Sequence, residues 1–267
     1  MRAGRLEPIL VAVREAAQRR ARRRSLADLR AVLDPAFDGG RRFRAALARP
    51  GLALIAECKR RSPSAGVLRD ERDLGERARA YREGGAAALS ILTEETAFGG
   101  SLEDFDALAG AGLPRLRKDF LLDEWMVLES AAHGAEAVLL LACVLSDPLL
   151  GELRAAAGEA GMAVLVEVHD EAELERAVAV RPDALGVNAR DLRSFEVDPS
   201  IVLGLLPQIP PGPLRVAESG LRSLADLQAV QAAGADAALV GSALMQAPDP
   251  RALLRSWTSA LAPEVRR

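Results

Sequence analysis

Apolar and polar positions follow two different periods along this chain, and from residue 52 onward they alternate regularly. Before that point, Leu6, Ile9, Leu10, Val13 and Ala17 recur at helical spacing, and Ser25 restarts the pattern as an N-cap. Residues 1–48 therefore read as a helical extension. After it, a short apolar run is followed by a polar loop, an amphipathic helix ending in Gly, and the next apolar run. The joins resemble one another: Gly85-Ala86-Ala87-Ala88-Leu89, Gly134-Ala135-Glu136-Ala137-Val138 and Gly234-Ala235-Asp236-Ala237-Ala238. Gly at a helix end supplies a left-handed cap, and the apolar run after it reads as a strand. Strands are expected at 52–58, 87–92, 114–117, 137–141, 163–168, 184–187, 214–217 and 237–240. Eight strands alternating with helices predict an α/β fold, a (β/α)8 TIM barrel forming a single domain over residues 1–267. An open doubly wound sheet would need a topological switch point and usually fewer strands, so the barrel is favoured.

Composition agrees with one large domain. The chain has 267 residues, 49% of them hydrophobic and 27% charged, which is the balance of a globular protein with a sizeable core. A net charge of −3 gives no field that would gather nucleic acid or an anionic membrane. No apolar run approaches the roughly 18–20 residues of a membrane span. The longest, 137–145, reads as a buried strand and its exit. With no signal-peptide pattern at the N-terminus, a cytoplasmic protein is expected. Cys58 and Cys143 both fall in apolar, strand-like segments, so no disulfide framework is expected. The arginine-rich run 19–24 reads as the solvated face of a helix.

Rare residues change the picture. Of 35 Lys and Arg residues only Lys59 and Lys118 are lysine, and Asn188 is the single asparagine. Arg cannot release its proton in a protein, whereas a partly buried Lys can be tuned as an acid or base. In a barrel, catalytic groups sit where strands end. Strand one ends in Glu57 and Lys59, two apart and therefore on one face, with Cys58 turned to the helices. Strand three ends near Lys118, strand five in Glu167, strand six near Asn188 and Arg190, and strand seven near Glu218. Burying such groups costs free energy unless they pair or work. Ser219-Gly220 and Gly241-Ser242 follow strands seven and eight, where loop N–H groups and a short helix commonly bind phosphate. Ser62-Pro63-Ser64 reads either as hydroxyl donors or as an ordinary turn. His169 lies two residues past Glu167 and can share its face. No other His, Cys or carboxylate stands at ligand spacing from it, so no metal site is expected. His133, near a helix end, reads as structural.

These segments resemble the indole-3-glycerol phosphate synthase family. The likeness is carried by LIAECKRRSPSAG at 54–66, LTEETAFGGS at 92–101, LRKDF at 116–120, LVEVHD at 165–170, GVNARDL at 186–192, AESG at 217–220 and LVGS at 239–242. It covers essentially the whole chain. The resemblance implies that the N-terminal extension packs over the barrel mouth. It implies an enzyme of tryptophan biosynthesis that closes an indole ring on 1-(2-carboxyphenylamino)-1-deoxyribulose 5-phosphate, with loss of carbon dioxide and water, using no cofactor and no metal. By the same resemblance Lys118 is the general acid. Lys59 holds the substrate carboxylate and serves as a second acid, in a division with Lys118 that the sequence leaves open. Glu167 is the base or stabilises the cationic intermediate, and Glu57 pairs with Lys59 and takes part in proton transfer. Asn188 and Glu218 hold substrate hydroxyls and catalytic groups, and Arg190 orders its loop. Ser62, Pro63, Ser219, Gly220, Gly241 and Ser242 belong to the substrate and phosphate site, and Phe98 and Leu139 shape the aryl pocket. Ala65 and Ala189 depart from the family's usual polar residues, which bears on loop dynamics more than on chemistry. The implied partner is a small phosphorylated substrate, with no nucleic acid or membrane, and a monomer or weak homodimer is expected.

Three other readings remain at this point. Phosphoribosylanthranilate isomerase shares the barrel but relies on a Cys/Asp pair, which the expected strand ends do not supply. A binding barrel without turnover would bind phosphate but form no indole. A Schiff-base aldolase would be trapped by borohydride in the presence of substrate.

Overall fold

A computed structural model describes residues 6–62, 66–67, 74–192 and 194–263, without the side chains of Ser62 and Val67. The strands are β1 (Ala53–Cys58), β2 (Ala88–Leu92), β3 (Arg115–Lys118), β4 (Ala137–Leu141), β5 (Ala163–Val168), β6 (Ala184–Asn188), β7 (Leu214–Glu218) and β8 (Ala237–Val240). All eight are parallel and close into one barrel, each beside its neighbour in sequence, with β8 returning to β1. Every residue of β1, β4 and β5 is buried, as strands covered on both faces require. The two-residue strands Arg61–Ser62 and Gly66–Val67 form a small hairpin after β1.

Among the described residues, twelve α-helices accompany the strands. They are α1 (Leu6–Ala21), α2 (Leu26–Val32), α3 (Gly39–Leu47), α4 (Gly75–Glu83), α5 (Leu102–Ala107) and α6 (Glu124–Ala132). The second half carries α7 (Asp147–Glu159), α8 (Glu171–Ala179), α9 (Pro199–Leu205), α10 (Leu224–Ala232), α11 (Ser242–Gln246) and α12 (Pro250–Ala260). Their starts are written in the sequence. Ser25 and Ser223 form capping boxes with Asp28 and Asp226, while Asp123 and Asp170 cap α6 and α8. The glycines at the helix-to-strand joins turn the chain as expected, with φ of 95° at Gly85, 73° at Gly134 and 95° at Gly234. No helix among the described residues is long and apolar enough to cross a membrane.

The N-terminal extension divides its contacts between the two ends of the barrel. α1 lies toward the mouth, where Ala12, Ala16 and Arg20 line a cleft with Thr93, Glu94 and Asp119. Arg20 grips Glu129 of α6 through Nε at 2.7 Å and Nη2 at 3.0 Å, and its guanidinium sits 5.9 Å from the Trp125 ring. Arg20 therefore departs from the solvated face expected for the run 19–24; Arg19, Arg22 and Arg23 remain exposed. α3 closes the opposite end. The Gly40 N–H donates to Gly161 O at 2.8 Å just before β5, and Phe43 and Leu47 are buried there.

Three strand ends fall later than the apolar runs suggest. β3, β6 and β7 continue through Lys118, Asn188 and Glu218, which are their last residues. A run of apolar letters stops where the barrel interior becomes polar, although the backbone ladder does not. Cys143 is a second difference. It lies in the turn after β4, half-buried, and not in a strand.

Candidate active site

The register brings the strand ends into one layer. Lys118 stands opposite Leu92, Glu167 opposite Gly186, and Asn188 opposite Glu218. Their side chains enter a pocket of about 920 Å³ at the C-terminal mouth, together with Glu57, Lys59, Arg190, Ser219, Gly220, Gly241 and Ser242. Phe98, Leu139, Leu141 and Leu239 give it an apolar wall. Fourteen of the fifteen residues expected there are thus in the described chain, and all of those except Ser62 line this pocket. Pro63 lies outside the described residues, as does the Ser62 side chain.

Lys118 is the hub. Its Nζ lies 3.0 Å from Glu167 Oε2 and 2.9 Å from Glu218 Oε2. Burial pushes the ammonium down, but Glu167, Glu218 and Glu57 push it up by more, so it holds its proton tightly. The two carboxylates diverge. Burial raises both; the positive charges of Lys118 and His169 and a hydrogen bond from Asn188 carry Glu167 well below the usual carboxylate range. Glu218, with Lys118 on one side and the negative Glu167 on the other, is pushed up to about 7. Asn188 Nδ2 donates to Glu167 Oε1 at 2.8 Å, while Asn188 Oδ1 accepts the Arg190 N–H at 2.9 Å. Arg190 in turn donates to Phe195 O at 2.8 Å and pairs with Val197, which folds its loop over the mouth.

Lys59 forms a separate ion pair with Glu57 at 2.5 Å. Two glycines make room for these groups. A Cβ at Gly241 would strike Glu57 Oε1 and lie 2.7 Å from Lys59 Nζ, and one at Gly186 would strike Glu218 Oε1. Beyond β7, Ser219 and Gly220 are both left-handed, with φ of 65° and 75°. Such a conformation is strained for Ser and persists where the surroundings impose it, often at a functional turn.

Some residues escaped the reading of the sequence. Glu94, buried after β2, accepts the N–H groups of Thr96, Ala97 and Phe98 at 2.8, 2.7 and 2.9 Å and so builds the turn that presents Phe98. Its position at the end of the second strand was the available signal. Arg117, 1% exposed, ties Thr93, Asp119 and Glu129 together on the α6 side of β3. Contrary to the expectation that no Cys or carboxylate stands at ligand spacing from it, His169 has both Glu173 and Cys143 beside it. Its Nε2 lies 3.3 Å from Glu167 Oε1 and its Nδ1 2.9 Å from Glu173 Oε2, with Cys143 within 4.8 Å. Glu173 stands at i+4, one helical turn on, and Cys143 arrives from the β4 turn. His133 is structural, 2.8 Å from Asp106 at the end of α6.

A polar mouth of this make-up is consistent with several barrel chemistries, and comparison with known proteins narrows it. The family model of indole-3-glycerol phosphate synthase matches residues 6–257. The chain belongs to that family. It is 46% identical over 245 residues to indole-3-glycerol phosphate synthase 2 of Streptomyces coelicolor, covering 89% of this chain and 93% of that one. It is 45% identical over 256 residues to the indole-3-glycerol phosphate synthase of Parafrankia sp., covering 96% and 95%. The indole-3-glycerol phosphate synthases are carboxy-lyases of tryptophan biosynthesis that act on a small phosphorylated substrate. Among solved structures, 3-hexulose-6-phosphate synthase from Salmonella typhimurium superposes with a TM-score of 0.64 at 18% identity, covering 79% of this chain and 98% of that one. That likeness concerns the barrel alone.

Proposed function

We propose that this site closes the indole ring of 1-(2-carboxyphenylamino)-1-deoxyribulose 5-phosphate with the residues that converge on Lys118. The observation that carries the reading is the triad of Lys118 with Glu167 and Glu218, at 3.0 and 2.9 Å, at the base of a pocket with one apolar wall. As the carboxylate-bearing aryl carbon attacks the ketone carbon, Lys118 Nζ gives its proton to the ketone oxygen, which becomes a hydroxyl. Loss of carbon dioxide returns the electron pair to the ring. The hydroxyl then leaves as water with a proton from Lys59 or Lys118. Glu167 takes the proton from the neighbouring ring carbon, which completes the double bond.

The surroundings support each role. Glu167 stays ionised beside Lys118, and loss of the Lys118 charge raises its affinity for a proton. Glu218, near its midpoint around neutral pH, can take up a proton and so release one of the two charges that hold Lys118. Lys59 stands free to meet the substrate carboxylate once Glu57 yields. Ser219, Gly220, Gly241 and Ser242 cradle the phosphate at the β7 and β8 ends, where barrels commonly bind it. Phe98 and Leu139 flank the aryl ring. The chemistry needs no cofactor, and a cytoplasmic setting fits a biosynthetic enzyme. Adding the carboxyphenylamino-deoxyribulose phosphate to the protein and following indole absorbance and carbon dioxide release tests the reading. Binding of the substrate without product would make the barrel a binding module instead.

A further inference from the structure

Glu167 presents its two oxygens to different neighbours. Oε2 faces Lys118 at 3.0 Å, whereas Oε1 receives Asn188 Nδ2 at 2.8 Å and has His169 Nε2 at 3.3 Å. The imidazole is itself clamped. Its Nδ1 lies 2.9 Å from Glu173 Oε2, and the same oxygen accepts the His169 backbone N–H at 2.9 Å. Glu173 is fixed in turn by the first turn of α8, where its N–H donates to Asp170 Oδ1 at 2.8 Å. Among the described residues, Glu167 from β5, Glu173 from α8 and Cys143 from the turn after β4 face the ring.

A carboxylate facing each ring nitrogen, Glu173 at 2.9 Å and Glu167 at 3.3 Å, favours the ring that carries a proton on both. We propose that His169, as an imidazolium, is a positioning residue for the ring closure: it aims Glu167 and remains its counter-charge when Lys118 gives up its proton. The inference rests on the assignment of Glu167 as the base. Without a second cation, proton loss from Lys118 would leave Glu167 as a buried negative charge facing a neutral amine, a costly state even with Glu218 protonated. His169 never enters the reaction, because its own protons stay on its nitrogens. Although burial pushes the imidazole down, its contacts with Cys143, Glu167 and Glu173 push it up to about 12, so it keeps its charge throughout the working range. The Nε2–H is buried without a well-aligned acceptor in the free enzyme, which leaves it available to tighten on Oε1 as the Lys118 charge departs.

Two measurements test this. The chain has only two histidines, so ring-nitrogen NMR of wild type and His133→Gln assigns His169 directly. Both His169 nitrogens are expected to stay protonated to about pH 9, well above an ordinary histidine; a neutral ring at about pH 7.5 overturns the proposal. In steady-state kinetics, His169→Gln and His169→Ala are expected to lower kcat roughly tenfold to a hundredfold and to change KM by less than about twofold. Folded variants with an unchanged kcat, or with a loss confined to KM, also overturn it. Should the variants fail to fold, the NMR result on the wild type still decides. Glu167→Gln serves as the control. If Glu167→Gln turns over normally, the base assignment fails and this inference with it. If Glu167→Gln is inactive while the His169 variants run at the wild-type rate, only the role of His169 fails.

Discussion

Glu167 and Glu218 show how one buried arrangement sets two opposite titrations, Glu167 held down and Glu218 pushed up. Glu218 has its folded value raised from 4.5 to about 7, so its contribution to stability is present below 4.5 and is lost as the pH rises through about 7. Glu218→Gln removes that dependence. The difference in melting temperature, variant minus wild type, is therefore expected to grow between about pH 5 and pH 8, while turnover falls. A difference that stays flat across this range would mean that Glu218 is ionised throughout. Gly241 is a residue whose value lies in what it lacks. Gly241→Ala pushes a methyl group against Glu57 and Lys59, so kcat/KM is expected to drop by more than about tenfold, a displacement cost near 1.4 kcal/mol or above. Far-ultraviolet circular dichroism should report an unchanged fold.

At the scale of elements, the sequence was legible where pattern and geometry coincide. Strands at 137–141, 163–168 and 237–240 match β4, β5 and β8 end to end, and the Gly-capped joins turn as their composition predicts. It was less legible where the barrel interior turns polar. Lys118, Asn188 and Glu218 belong to their strands although they end the apolar runs. Spacing along the chain also hides partners from different elements. Cys143 meets His169 only because the β4 turn stands beside β5, and Arg20 leaves the solvated face only because α6 places Glu129 beneath it. Arg20→Ala is expected to cost about 1–3 kcal/mol, because it removes a bidentate partner from a buried carboxylate that Arg117 still holds. A denaturant titration measures that loss. A change within about 0.5 kcal/mol would show that the α1 clamp adds little.

On the scale of the molecule, the barrel separates stability from chemistry. α3 and the start of the strands close one end with Phe43 and Leu47, while the left-handed Ser219 and the buried carboxylates around Lys118 lie at the other. Which residues would gather at the mouth was readable from strand ends and the family likeness. How they would share protons was not, since that depends on distances and burial that no spacing encodes. Lys118→Arg separates charge from proton donation at this position, since Arg keeps the charge but cannot release its proton. With the carboxyphenylamino-deoxyribulose phosphate as substrate, the variant is expected to bind it while kcat for indole formation falls about 10²–10⁴-fold. Indole formation at near the wild-type rate would contradict the general-acid role.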